Sequence, residues 1–235
     1  MGWKSYNLVA FGCSYTFGHG LKDCIASDGR SAGPLPSKYA WPTILGKLGS
    51  FSSVDNMGIP GASSKRVVKK VLEYDFKDKS VVVILWPNKD RQTIFKDQHD
   101  MLHMMPSFIY KDMPKGFWWG KDSNFPDQVK MYYENFHEEF NCVFEQKIYI
   151  NYVHSYLKTK GIKSFHLVPE HEYDKRLPQE DQEYFKSYDL PGLNLALIQW
   201  RKHFKIDDGL DKPHPHPGPN SHHNLAVNIR KWFFR

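Results

Sequence analysis

Apolar residues along the chain fall into two kinds of run, and their alternation predicts the fold. YNLVAF (6–11) and SVVVILW (80–86) are short, continuous apolar stretches, the first closing on Gly12 and the second on Pro87. Runs of that length bounded by turn residues predict strands buried on both faces. Between them YAWPTILGKLG (39–49) has helical spacing, and SSVDNMG (52–58) predicts a weaker strand. SSKRVVKKVLEYDF (63–76) opens on serines suited to an N-cap and carries Val and Leu on one face. This β-α-β-α-β succession predicts a parallel sheet with helices on both faces and right-handed crossovers.

Residues 92–125 break the rhythm, because Pro, Gly, Met and aromatics occur there without a sustained period. The pattern predicts an irregular insertion or lid. From 126 to 158, Val129, Tyr132, Tyr133, Phe136, Phe140, Val143, Phe144 and Tyr156 fall largely at three- and four-residue intervals and predict one long helix, with a bend allowed. IKSFHLVP (162–169) predicts a strand, the polar stretch 171–189 a loop, LNLALIQWRKHF (193–204) a helix, and SHHNLAVNIRKWFF (221–234) a closing amphipathic helix. With no internal repeat and no linker, residues 1–235 are expected to form one α/β domain. Its expected architecture is three-layer α/β/α with a flavodoxin-like parallel sheet.

Composition narrows the partners. The chain has 235 residues, 40% of them hydrophobic, and a net charge of +6. Its basic residues are scattered, and the densest group, 64–79, is the wet face of a predicted helix, so no nucleic-acid partner is expected. Cys13, Cys24 and Cys142 show neither a disulfide framework nor zinc spacing. No run of 18 apolar residues and no leader pattern occurs, so a soluble, by default cytoplasmic protein without a membrane partner is expected.

Reactive groups in open α/β sheets gather beyond the carboxyl ends of the strands. Three predicted strands end there in FGCSYTFG, NMGIPGASS and WPNKDR, which bring Ser14, Gly61 and Asn88 to one edge. A fourth stretch, DKPHPHPGPNSHHNLA (211–226), precedes the last helix. Together the four resemble the four blocks of the GDSL/SGNH hydrolase superfamily, in their order and across nearly the whole chain. Cys13 stands where the first block usually has Asp, Trp86 where the third usually has Gly, and Lys89 where it usually has Asp.

The resemblance implies a serine esterase with no metal or organic cofactor. Ser14 would be the nucleophile, and the oxyanion hole would comprise the Ser14 and Gly61 N–H groups and the Asn88 side-chain amide. Two registers are open in the fourth block. Asp211 to His214 satisfies Asp-x-x-His, whereas HPGPNSH from His216 to His222 satisfies the spacing from base to helix. We take His216 as the base, His214 as its alternative and Asp211 as the orienting carboxylate. The expected substrates are small-molecule or glycan esters, with O-acetyl groups on a glycan favoured. Trp118 and Trp119 are candidates for contact with substrate.

Other chemistry fits parts of this pattern. Clustered imidazoles at His214, His216, His222 and His223 are good ligands for zinc or nickel, but Pro215 and Pro217 hold the first two extended and no acidic or cysteine pattern accompanies them. Cys13 is one residue from the serine and is expected to be a packing residue rather than a nucleophile. His19 is expected to be structural or a pocket wall. A scaffold that has lost its triad and only binds carbohydrate, and an acyltransferase using the same serine, are the rival functions.

Overall fold

A computed structural model of the chain describes residues 3–27, 29, 32–95, 97, 101–104, 125–169, 178–186, 188–198, 209–210 and 216–234. Strand β1 (Asn7–Gly12) leads into the one-turn helix α1 (Ser14–Phe17), then come α2 (Trp41–Gly49), β2 (Ser53–Gly58), α3 (Ser64–Leu72) and β3 (Ser80–Leu85). The hairpin β4 (Gln92–Phe95) and β5 (Met101–Met104) is followed by α4 (Phe125–Asn135), α5 (Glu139–Thr159) and β6 (Lys163–Pro169). Last come α6 (Gln179–Lys186), β7 (Asn194–Ile198) and α7 (Pro219–Phe233).

The main sheet runs β2-β1-β3-β6-β7 with every pairing parallel. Counted within the sheet, this is the flavodoxin-like order 2-1-3-4-5. Residue alternation builds two cores from it. Leu8, Ala10, Val81, Val83 and Leu85 point to one face, against Trp41 and Leu45 of α2 and Leu225, Ala226 and Ile229 of α7. Val9, Phe11, Val82 and Ile84 point to the other, against Val67 and Val71 of α3 and Ile150, Val153 and Leu157 of α5. With both faces covered, β1 and β3 are buried at every position, which is why they read as unbroken apolar runs.

Four expectations need correction. Residues 194–198 form β7, the edge strand paired with β6, where the sequence predicted a helix over 193–204. Leu195 packs with the second core, Ala196 and Ile198 with the first, so the strand period of two wins once β6 offers its open edge. The long helix over 126–158 is two helices. The chain turns at Phe136 and His137, whose N–H groups both bond to the Tyr132 carbonyl, and extends at Glu138 before α5 begins. The stretch 171–189, expected as loop, contains α6, held by Phe185 packing beside Val143 and Phe140. The insertion is not irregular throughout, since 92–104 contains an antiparallel hairpin. Residues 105–124, with Trp118 and Trp119, lie outside the described residues, as do Asp211 and His214.

No helix among the described residues is long and apolar enough to cross a membrane.

Buried imidazoles tie this core to pH. Burial, with His154 nearby, holds His166 down to about 3, and burial, with His216 nearby, does the same to His222. His166 accepts a hydrogen bond from Trp86 Nε1 at 3.1 Å and His222 one from the Trp41 backbone N–H at 3.1 Å. Below the ordinary value of 6.5 the unfolded chain binds protons that these folded imidazoles refuse, so their stabilising contribution is complete above 6.5 and falls as pH drops towards 3. The slope is at most ~1.4 kcal/mol per pH unit for each histidine. Urea unfolding midpoints are therefore expected to fall between pH 7.5 and pH 5, before most carboxylates titrate. Equal midpoints at the two values would contradict the burial of neutral imidazoles.

Candidate active site

The ends of β1, β2 and β3 are adjacent in the sheet. Gly12 is in register with Gly58 on one side and Leu85 on the other, at strand spacings of ~4.8 Å. The loops that follow therefore leave from one place. Cys13, extended at φ −97°, caps α1, and Ser14 is the first residue of that turn. Ser14 is 3% exposed, and its hydroxyl has no hydrogen-bond partner among the described residues. The N–H groups of Thr16 and Phe17 both reach the Cys13 carbonyl, and those of Gly18 and His19 reach the Ser14 carbonyl, so the turn is closed by its own backbone.

The second loop is clamped to the first. The Ile59 N–H donates to the Gly12 carbonyl at 2.9 Å, and Asn56 Nδ2 donates to the Thr16 carbonyl at 2.7 Å. A Cβ on Gly58 would sit 2.3 Å from the Phe17 nitrogen, so only glycine lets β2 end this close to α1. Pro60 and Gly61 then form a tight turn, closed by Ala62 N–H to the Ile59 carbonyl at 3.1 Å with Gly61 at φ 74°. That is a type II turn, which puts Pro at its second position and requires positive φ at its third. An added Cβ on Gly61 would meet nothing within 4 Å, so this side of the turn faces open space.

The third loop is held by charge. Asn88 Oδ1 accepts from the Asp90 N–H at 2.7 Å, which fixes the orientation of its side-chain amide. The Lys89 side chain is buried, with Nζ 2.7 Å from Asp90 Oδ1 and 2.8 Å from Glu139 Oε1. Tyr133 donates its hydroxyl proton to the Asp90 carbonyl at 2.7 Å, and His137 Nε2 lies 3.2 Å from Asp90 Oδ1. Tyr133, in the last turn of α4, and His137, in the helix break that follows, both reach this loop. Asp90, His137 and Cys142 bring atoms able to ligate a metal within 4.8 Å of one another. The Lys89 ammonium already compensates the carboxylate there, and burial, with Asp90 nearby, pushes the Cys142 thiol up to about 12. The cluster, one ammonium between two carboxylates, is an ion-paired lock on the loop. Trp86, standing where the resemblance expects Gly, turns into the second core.

His216, the fourth candidate, lies against the Ser14 turn. Its ring stacks on that of His19 with centroids 4.2 Å apart and meets the ring of Tyr15, the neighbour of Ser14, edge-on at 5.6 Å. The loop before α7 thus returns to the turn that carries Ser14. Cys13 packs in the second core, as a small apolar residue does. Sequence reasoning missed the Lys89–Asp90–Glu139 lock, for which the primary structure gives no signal. It also underused His19, whose place between Gly18 and Gly20 beside the serine was the available clue.

No protein-family model and no curated protein matches the sequence. Solved structures do match it. A variant of Axe2, an acetyl-xylooligosaccharide esterase from Geobacillus Stearmophilus, is 16% identical with a TM-score of 0.50, over 100% of this chain and 97% of that one. The chain shares its α/β fold. LAE5, an alpha/beta hydrolase enzyme from the metagenome of Lake Arreo, Spain, shares it at 11% identity and a TM-score of 0.50, covering 98% of this chain and 95% of that one. A member of the lipolytic protein G-D-S-L family from Veillonella parvula DSM 2008 also matches, at 10% identity and a TM-score of 0.49, over 98% and 100% of the two chains. The stretches that the sequence compared with the first three blocks follow β1, β2 and β3 at one edge of the sheet.

Proposed function

We propose that the chain is a serine esterase that cleaves O-acyl esters through an acyl-enzyme on Ser14. The observation that carries this is the meeting of three adjacent strand ends, bearing Ser14, Gly61 and Asn88, with the His216 ring beside the Ser14 turn. Ser14 Oγ attacks the ester carbonyl carbon as an imidazole nitrogen of His216 takes the hydroxyl proton, and the carbonyl π pair moves onto oxygen. The Ser14 and Gly61 N–H groups have no acceptor among the described residues. With the Asn88 amide they stabilise that oxyanion; one such donor contributes roughly 2.7–4 kcal/mol in comparable sites. Collapse breaks the bond to the alcohol oxygen, which leaves with the proton from His216. Water then repeats the sequence on the acyl-enzyme and releases the acid. Asp211, or the alternative register with His214 as base, completes the set from outside the described residues.

The substrate we propose is a small acyl group, such as acetyl, on a carbohydrate. The aromatic residues Trp118 and Trp119 suit a sugar ring, and the fold is shared with an acetyl-xylooligosaccharide esterase. Acetate release from an O-acetylated xylo-oligosaccharide is expected to exceed acid release from a long-chain p-nitrophenyl ester at equal concentration. Preference for the long chain would reject the glycan substrate, and hydrolysis of neither, nor of p-nitrophenyl acetate, would reject the esterase.

A further inference from the structure

The second imidazole at the Ser14 turn has no part in the acyl transfer as described above, yet its placement is specific. His19 is 5% exposed, and its backbone N–H bonds to the Ser14 carbonyl at 3.1 Å, so its ring is carried by the same turn as the nucleophile. Its ring plane is inclined by only 30° to that of His216 at a centroid separation of 4.2 Å. Rings stacked this way present faces, and the nitrogens of one, which lie in its plane, are not aimed at those of the other. The contact is therefore a π contact and not a proton relay between the two imidazoles.

Resting on the assignment of His216 as the base, we propose that His19 is a positioning residue that stabilises the imidazolium formed on His216. An aromatic face attracts a cation through its quadrupole. While His216 is neutral that attraction is absent. It grows as the Ser14 proton arrives, and it remains until the proton leaves with the alcohol. A contact that strengthens only along the reaction raises kcat and leaves substrate affinity alone. The stack also fixes the ring plane of His216. Tyr15 and His222 are also titratable side chains near His216, and Tyr15 meets it edge-on.

Steady-state hydrolysis of p-nitrophenyl acetate by the full chain separates this role from packing. His19→Phe keeps an aromatic face, His19→Leu fills the space without one, and His19→Gln keeps a polar group without one. His19→Phe is expected to hold kcat within about threefold of wild type. His19→Leu and His19→Gln are each expected to lower it about tenfold with KM unchanged. Two variants without a ring face keep the comparison available if one of them folds poorly, which the Tm of each reports. Equal kcat for the Phe variant and the folded ring-less variants, at the wild-type level or below it, would overturn the proposal. His216→Ala is measured beside them. If it retains wild-type turnover, the assignment of the base has failed. If it is inactive while the His19 variants do not differ, only the stacking role has.

Discussion

Ser14→Ala is expected to lower kcat for p-nitrophenyl acetate by at least about a thousandfold, with the thermal midpoint unchanged. The size follows from what the hydroxyl does. Without it no acyl-enzyme forms, and what remains is the background rate that the oxyanion donors give to attack by water. The unchanged midpoint follows from how Ser14 is held, since the hydroxyl has no hydrogen-bond partner among the described residues and α1 is closed by backbone bonds that alanine keeps. The experiment is read from purified wild type and variant in parallel. Equal rates would mean that the serine is not the nucleophile, and would leave the chain as a scaffold that only binds, or as a hydrolase of another kind.

Lys89→Met is expected to give the largest loss of stability. The Lys89 ammonium is inaccessible to solvent and lies between Asp90, whose side chain is 9% exposed, and Glu139, whose side chain is 23% exposed. Methionine has a similar volume, so the cost is not a cavity. It is two carboxylates left together in a poorly solvated site, about 3–5 kcal/mol for breaking such a group by removing one partner. For a chain of this size that corresponds to a fall in thermal midpoint of roughly 6–20 °C. Because the Asp90 N–H fixes Asn88, kcat should fall as well. A midpoint within about 2 °C of wild type would show that the lock does not hold the loop.

The parts of the fold legible in the sequence are those whose burial is symmetric or strongly one-sided. β1 and β3 read as strands because both faces of the sheet are covered, and α3 read as a helix because Val67 and Val71 share a face behind an N-cap serine whose Oγ accepts from the Arg66 N–H. β7 was not legible, since LNLALI is apolar at nearly every position and fits either period until an open strand edge selects one. The helix break at 136–138 left no glycine or proline as a mark, and α6 shows a single fully buried apolar residue among its described side chains, Phe185.

The site divides in the same way. The placement of Ser14, Gly61 and Asn88 at one edge was legible because a parallel sheet delivers its strand ends there, and the turn at Gly61 was written in the Pro-Gly pair. The link between His216 and the Ser14 turn runs through rings at Tyr15 and His19, about 200 residues earlier, and no local period encodes a contact at that separation. The Lys89 lock depends on a residue of α5 that the loop meets only in the folded chain.

The most direct measurement is covalent capture of the nucleophile. Incubation with a fluorophosphonate, followed by peptide mass spectrometry, should place one phosphonyl group per chain on Ser14, with none on Cys13 in the same peptide, and ester turnover should fall in step with labelling. A chain that keeps full ester turnover without the label, or that loses it when another residue is labelled, would contradict acyl transfer to Ser14.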